Sequence, residues 1–291
     1  RVRDDGEEAV VKVFITGAQG QLGNELVPLF ADTHEVVAVD IDEVDLTDRD
    51  AVLQAITGTA PDLVVHGAAM TAVDRCETEP DLAYMVNSMG TRYVADGARR
   101  VGAHVVYVST DYVFDGTKPE PYVEWDAPNP ASVYGRSKLG GEHELDPGWT
   151  ICRTSWVCGY HGANMVKTVL ALADERDELS FVDDQIGHPT LAADLAAIVH
   201  RLAVGRIPGL FHTTNQGAVS WYEFVRSILE AAGKDPGMVK PVKTADLQPP
   251  RPAPRPANSV LDNAALRLQG LPLAPDYRES LAPLVARLQA T

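Results

Sequence analysis

The sequence predicts an α/β fold in which a doubly wound parallel sheet carries helices on both faces. Short β-branched runs alternate with longer helical stretches, which is the pattern of repeated βαβ units. The strands are predicted at residues 10–15, 35–39, 62–65, 104–108 and 150–152. Because these runs are almost continuously apolar, we expect them to be buried on both faces, as the strands of parallel sheets are.

Helices are predicted between and after these strands, at residues 48–56, 81–101, 137–144, 164–174, 192–203 and 221–232. A length of 291 residues favours two domains. We expect a larger one at 10–155 with later returns at about 190–218, and a smaller one made of 156–189 and 219–291. Residues 240–256 contain six prolines, too many for a helix or a central strand. They predict an extended, exposed loop, either a simple linker or a segment that flanks a ligand.

The composition excludes several classes of protein. Apolar residues make up 45% and charged residues 23% of the chain, which is typical of globular proteins. The net charge of −16 repels phosphate backbones, so we expect no nucleic-acid partner. Cys76, Cys152 and Cys158 form no CxxC pair, which argues against a disulfide framework. No stretch reaches the ~20 apolar residues of a membrane span, and residues 1–8 lack a targeting segment. We therefore expect a cytoplasmic protein without a membrane partner.

A glycine-rich turn follows the first strand and opens into an apolar-periodic helix. It contains Gly17, Gly20 and Gly23, with Gln21 and Leu22 between the last two. Glycines at this junction allow a tight turn and a close approach of the backbone to a pyrophosphate at the helix N-terminus. The spacing alone is a weak signal, but its place at a strand-to-helix turn indicates a dinucleotide-binding Rossmann domain.

Asp40 stands at the end of the second strand, 17 residues after Gly23. A carboxylate there can accept hydrogen bonds from the ribose of an adenosine. The alternative, a solvated turn residue, stays open. Because a carboxylate repels a 2′-phosphate, Asp40 favours NADH over NADPH.

A tyrosine and a lysine stand four residues apart, at Tyr134 and Lys138, and therefore share one face of a helix. An ammonium near a phenol is expected to lower its pKa toward the working range and can also hold a ribose hydroxyl. The fourth strand ends in Ser109, Thr110 and Asp111. Polar residues at the carboxyl end of a parallel strand point into the ligand crevice, where a hydroxyl can bind a carbonyl that Tyr134 protonates.

These motifs resemble the short-chain dehydrogenase/reductase superfamily in its extended branch, which modifies nucleotide sugars. Within that branch the chain is most similar to the dTDP-4-dehydrorhamnose reductases, over about residues 11–261. The segments that carry the resemblance are GQLG (20–23), AAMTAVD (68–74), STDYVFDG (109–116), VYGRSK (133–138), RTSWV (153–157) and RPANS (255–259).

The resemblance implies a reaction and a role for each matched residue. Tyr134 would donate a proton, Lys138 would be its electrostatic partner, and Thr110 would complete the triad. The reaction would be NADPH- or NADH-dependent reduction of the C4 ketone of dTDP-4-dehydro-6-deoxy-L-mannose to dTDP-L-rhamnose. The C-terminal domain would bind this dTDP-sugar. The implied cofactor contacts are Gly17, Gly20, Gln21, Leu22, Gly23, Asp40, Asp45, Leu46, Ala68, Ala69, Tyr134 and Lys138, and the implied substrate contacts are Thr110, Asp111 and Trp156.

The chain departs from the family pattern in two places. Many relatives have Asn where this chain has His66, which we expect to be a packed strand-end residue. Some relatives bind Mg²⁺ through a Glu after the glycine turn and a second acidic residue. Glu25 fits the first position, but the second is Ala193, and Asp194 would face elsewhere because one helical residue is about 100° of rotation. We therefore expect no metal. A monomer and a homodimer both stay open.

Two alternative functions remain open at this stage. The first is another enzyme of the same branch, an epimerase or a 4,6-dehydratase. A dehydratase of this type has Asp then Glu after the triad Thr, whereas here Asp111 is followed by Tyr112, so simple reduction is favoured. The second is a non-catalytic protein that resembles the regulatory subunit of methionine adenosyltransferase. The cofactor preference also stays open. The resemblance implies that NADPH can be used, whereas the charge of Asp40 favours NADH.

Overall fold

Six parallel strands form the central sheet of the protein, whose computed structural model describes residues 10–290. Residues 1–9, where the sequence predicts no targeting segment, and residue 291 lie outside this range. The strands are β1 (Lys12–Thr16), β2 (Glu35–Val39), β3 (Leu63–His66), β4 (His104–Thr110), β5 (Thr150–Thr154), β6 (Val157–Cys158), β7 (Leu179–Val182), β8 (Ile186–Gly187), β9 (Thr190–Leu191), β10 (Gly209–His212), β11 (Val219–Ser220) and β12 (Val239–Val242). The order in the central sheet is β10-β5-β4-β3-β1-β2, and every neighbouring pair is parallel.

Helices cover both faces of this sheet. They are α1 (Gly23–Ala31), α2 (Arg49–Thr59), α3 (Val73–Thr78), α4 (Pro80–Tyr84), α5 (Gly90–Val101), α6 (Val133–Glu142), α7 (Met165–Glu175), α8 (Ala192–Val204), α9 (Trp221–Ala231), α10 (Ala264–Leu268) and α11 (Tyr277–Gln289). Within residues 10–290, none of these helices has the length and apolar character that a bilayer-spanning helix needs.

The burial of β1 shows why the sheet must be covered on both sides. Ile15 packs in the cluster that contains Leu195 of α8, whereas the neighbouring Phe14 packs in the cluster that contains Ile56 of α2. Successive side chains of a strand point to opposite faces, so an uninterrupted apolar run needs an apolar layer on each face. The predicted doubly wound α/β fold is confirmed.

The prediction of one regular α-helix at 81–101 is wrong in one detail. A π-helical turn, Met85–Met89, separates α4 from α5. Its buried Asn87 places its side-chain amide against the loop after β3 and against α6, where it bonds Met70 and Ser137. The periodicity of apolar residues does not show such a turn, because the amide is satisfied by contacts distant in sequence.

A second apolar cluster lies among α7, α9 and α11, with Val169, Phe224, Ile228 and Tyr277 fully buried within it. This cluster is built largely from residues beyond 155. The division of the chain into two domains at the predicted boundaries stays a prediction.

The proline-rich segment is extended and largely exposed, as predicted, with one correction. Pro241 lies in the short strand β12, which pairs with β7 in a two-stranded sheet, so a missing backbone donor is tolerated there. The far end of the segment is anchored, because Arg255 makes a two-pronged ion pair with Asp74 of α3 at 2.9 Å per contact.

Helix α6 lies unusually close to its neighbours. It begins at Val133, earlier than the predicted 137, because the Ser132 hydroxyl caps it by accepting from the Gly135 amide at 3.0 Å. A Cβ on Gly135 would collide with the carbonyl of Tyr112. Only glycine permits this approach, which fixes the height of α6 over the sheet.

We predict that Gly135→Ala lowers the free energy of unfolding by roughly 1–3 kcal/mol, the usual cost of overpacking, because a backbone carbonyl cannot yield as a side chain can. Gly148→Ala is the control, since a Cβ there meets nothing within 4 Å. Urea unfolding of both variants tests this. Equal stabilities would show that α6 shifts freely and that its close seating is unimportant.

Candidate active site

The glycine-rich turn joins β1 to α1 at the carboxyl edge of the sheet. Gly17 has a φ of +73°, which disfavours any residue with a side chain. A Cβ on Gly23 would collide with the carbonyl of Gly17. The backbone is therefore free of side-chain bulk at the N-terminus of α1, where the helix dipole attracts an anion.

Asp40 follows β2 and is held beside this turn. One carboxylate oxygen accepts from the Gln19 amide and the other from the Ile41 amide, both at 2.8 Å. The backbone amide of Asp40 donates to Glu43 at 2.8 Å. Two carboxylates thus stand at this end of the site.

A cavity of about 620 Å³ extends from Asp40 to α6 along the carboxyl ends of the strands. Its lining includes the residues that the sequence assigns to a cofactor: Gly17, Gly20, Gln21, Leu22, Gly23, Asp40, Asp45, Leu46, Ala68, Ala69, Tyr134 and Lys138. Among the lining residues of the described chain, Lys138 is the only Lys or Arg. The contact of these residues with a cofactor stays a prediction.

Several lining residues were not predicted. Thr16 and Thr154 end strands and could have been found by the rule that polar strand ends face the crevice, the rule that had placed Ser109 there. No sequence motif marks Gly162 and Ala163 as cavity residues, because they lie in the segment after β6, which reaches the cavity only through the fold. Gln21 supports this segment, since its amide donates to the Val157 carbonyl at 3.2 Å.

Tyr134 and Lys138 lie on one face of α6 and are both buried. The Lys138 ammonium donates to the Val108 carbonyl at 2.7 Å and lies 4.1 Å from the centre of the Tyr107 ring, a cation–π contact. Burial lowers the pKa of Lys138 to about 7. The lysine is therefore poised between its charged and neutral forms near neutral pH.

The pKa of Tyr134 moves in the direction opposite to the expected one. Burial raises it well above 10, and the neighbouring Thr110 hydroxyl only partly opposes the rise. The expectation of a lowered value was wrong for this state of the protein, because desolvation of the phenolate dominates and the nearby carboxylate of Asp111 adds to the rise. The phenol is therefore fully protonated at neutral pH, which is the form that a proton donor needs.

Thr110, Asp111 and Trp156 lie outside the lining of this cavity, and the first two are neighbours of Tyr134. The Thr110 hydroxyl donates to Asp111 at 2.9 Å. Burial raises the pKa of Asp111 to about 6, with the Ser259 and Thr110 hydroxyls opposing the rise. The structure thus brings Thr110 and Asp111 together beside Tyr134.

Trp156 is linked to this group through Gly187. A Cβ on Gly187 would lie 2.7 Å from the Trp156 ring and 2.8 Å from the Ser259 hydroxyl. Trp156 has a φ of +46° and stacks on Trp221, with ring centres 3.6 Å apart. Backbone strain at a residue of this kind is typical of a ligand-binding position.

His66 is fully buried at the end of β3, and burial lowers its pKa to about 3. Its Nδ1 lies 2.7 Å from the Thr16 hydroxyl and its Nε2 lies 3.1 Å from the Thr91 hydroxyl. Thr91 donates onward to the Asn87 carbonyl at 2.7 Å, so the neutral ring donates from Nε2 and accepts at Nδ1. His66 therefore joins β1 to α5 as a packed polar residue, as expected. Asn87, which accepts the onward bond from Thr91, was not identified from the sequence.

Glu25 and Asp194, the two acidic residues considered for magnesium, belong to no cluster of three or more possible metal ligands within residues 10–290. Asp194 accepts from the Asn215 amide at 2.6 Å, and Glu25 stands in the first turn of α1. Among residues 10–290, no group of three or more His, Cys, Asp or Glu residues is arranged to hold a metal. The expectation that no metal is needed stays a prediction.

A phosphate-binding turn and a buried tyrosine–lysine pair at opposite ends of one cavity are the arrangement of short-chain oxidoreductases that use a dinucleotide. Comparison with known proteins is more specific. Residues 11–290 match the family model described as RmlD substrate binding domain. The chain therefore belongs to the RmlD family.

Individual relatives agree with this assignment. The chain is 42% identical over 269 residues to a dTDP-4-dehydrorhamnose reductase of Aggregatibacter actinomycetemcomitans, covering 87% of this chain and 91% of that one. It is 41% identical over 266 residues to the spore coat polysaccharide biosynthesis protein SpsK of Bacillus subtilis, covering 90% and 93%. The crystal structure of a Bacillus anthracis dTDP-4-dehydrorhamnose reductase in complex with NADP is similar with a TM-score of 0.91 at 39% identity, covering 96% and 100%.

We predict that Asp40→Asn raises the affinity for NADPH relative to NADH about fivefold or more. Removing one negative charge from the ribose end of the cavity relieves a repulsion of roughly 1 kcal/mol at about 5 Å in a water-like medium. Fluorescence titrations with both cofactors measure the ratio. Asp42→Asn is the matched control, because Asp42 is an exposed neighbour that does not line the cavity. An unchanged ratio in Asp40→Asn would assign Asp40 to the turn alone.

Proposed function

We infer that this protein is an NAD(P)H-dependent oxidoreductase that reduces the C4 ketone of dTDP-4-dehydro-6-deoxy-L-mannose to give dTDP-L-rhamnose. Membership of the RmlD family and the reductases among its relatives support the reaction. The observation that carries the proposal is the buried Tyr134–Lys138 pair, which faces the dinucleotide cavity on one side and Thr110 on the other.

The cavity fits a dinucleotide. The Gly17 turn provides a surface without side chains for a pyrophosphate, Asp40 can accept from a ribose, and Lys138 can hold the second ribose near the inner end. The Thr154 hydroxyl is buried in the lining and has no hydrogen-bond partner within residues 10–290, which is the state of a group that awaits a ligand. When bound, the nicotinamide supplies the hydride that the carbonyl carbon receives.

The side chains supply the proton. Tyr134 is fully protonated and therefore donates to the carbonyl oxygen as negative charge develops there. Lys138, charged below a pH of about 7, stabilises the phenolate that remains. Thr110, next to the Tyr134 hydroxyl, orients the carbonyl by hydrogen bonding.

Asp111 and Trp156 suit the sugar. A carboxylate accepts from sugar hydroxyls, and the indole offers a flat apolar wall. Tyr112 supports reduction rather than dehydration, because its ring stands edge-on to Tyr134 at 5.4 Å. A dehydratase of the type considered above would have a carboxylate at this position.

We predict that Tyr134→Phe lowers kcat by about 10²-fold or more while the Kd for NADH stays within about twofold, because only the transferable proton is lost. Steady-state kinetics and cofactor titration measure the two quantities.

Tyr112→Phe is the matched control, since it removes a hydroxyl from the adjacent ring. We expect it to retain most of the activity. Wild-type turnover in Tyr134→Phe would remove Tyr134 from the mechanism, and equal losses in both variants would indicate a general packing effect.

A further inference from the structure

A buried ion pair lies directly behind Lys138 and is not used by the mechanism above. Arg153 of β5 contacts both oxygens of Glu142 on α6, at 2.9 Å from Nε and 2.6 Å from Nη2. The side chains are only 3% and 5% exposed. The Ser109 hydroxyl donates to the same carboxylate at 2.5 Å. Such a desolvated pair is costly to bury, and burial alone does not make it stabilising.

The position of the pair ties it to the site. Glu142 follows Lys138 by four residues and shares its helix face. Ser109 and Arg153 are register partners on adjacent strands. The next residues of those strands are Thr110 and Thr154, which face the reacting group and the cavity. The Glu142 carboxylate therefore joins α6 to both β4 and β5 at the edge of the site.

Glu142 is also the negative charge that acts on Lys138. The titratable or charged groups around Lys138 come from α6, β3 and β4, and they are Tyr134, Glu142, His66 and Tyr107. Arg153 of β5 contacts this group through Glu142. Burial keeps both tyrosines and His66 neutral. Burial lowers the pKa of Lys138 to about 7, and Glu142 opposes this shift.

We propose that Glu142 is a positioning residue for Lys138: clamped by Arg153 and Ser109, its carboxylate seats α6 on the strands and holds the lysine in its charged form. The proposal rests on the proposed function, in which the charged lysine is the active form. Arg153 acts in the opposite sense, because it offsets part of the carboxylate's field.

Because Glu142 and Arg153 carry opposite charges, a positioning role and a merely structural role predict different results for their variants. Glu142→Gln and Arg153→Met break the same contact, so a structural role predicts similar effects from both. Our account predicts opposite effects on the pH profile of kcat/KM. Loss of the carboxylate shifts the alkaline limb to lower pH, because charged Lys138 is disfavoured. Loss of the guanidinium shifts it to higher pH, each by about half a pH unit or more.

Two further variants serve as controls. Arg153→Lys disturbs the two-pronged geometry but keeps the charge, so its alkaline limb should stay within about 0.2 pH units of the wild-type position. In the double variant Glu142→Gln/Arg153→Met, the two shifts oppose each other, so the alkaline limb should move to lower pH by less than in Glu142→Gln alone. Urea unfolding confirms that each variant is folded. If Glu142→Gln does not fold, the comparison of Arg153→Met with Arg153→Lys carries the same test.

A readout without turnover separates this proposal from the proposed function. The pKa of Lys138 is followed by NMR of its Nζ in ¹⁵N-lysine-labelled protein, with the signal assigned by its loss in Lys138→Arg. A wild-type protein that reduces no 4-keto sugar would refute the function. Shifts of the Lys138 pKa in the same direction in both single variants, or no shift in either, would overturn the role of Glu142.

Discussion

The seating of helix α6 on β4 is the constraint on which the site depends. Gly135 lets the helix approach the Tyr112 carbonyl, and Lys138 donates into the backbone of β4 at Val108. From the other side, the Asn87 amide holds Ser137, which stands between the tyrosine and the lysine. A displacement of α6 that broke these contacts would separate the Tyr134 hydroxyl from Thr110 and would withdraw Lys138 from the cavity.

An acidic protein that binds an anionic dinucleotide must offset the repulsion at the binding site itself. This protein carries a net charge of −16 and yet lines a dinucleotide-sized cavity whose only Lys or Arg, within residues 10–290, is Lys138. We therefore expect the backbone amides at the start of α1, rather than side chains, to bind the pyrophosphate. The buried Glu142 then has a clear physical purpose, since it protects the charge of the one cation that the cavity has.

Much of the architecture could be predicted from the sequence, because β1 to β5 are short apolar runs whose burial on two faces leaves few alternatives. The glycine turn and the Tyr134–Lys138 spacing are local signals as well. What could not be predicted depends on contacts distant in sequence. The π-turn at Asn87, the raised pKa of Tyr134 and the approach of Gly162 to the cavity all arise from packing between elements. The strand β12 formed despite Pro241 because its position at an edge requires no donor from that residue.

The proposed reaction requires that hydride is delivered to C4 of a dTDP-4-keto-6-deoxy sugar beside Tyr134. The most direct measurement incubates the protein with that sugar and NADH or NADPH deuterated at the transferable position of the nicotinamide, followed by NMR of the product. We expect one deuterium at C4 of the sugar for each cofactor oxidised, with no label at C3 or C5. Cofactor oxidation without label at C4, or conversion of the sugar without cofactor oxidation, would contradict the account.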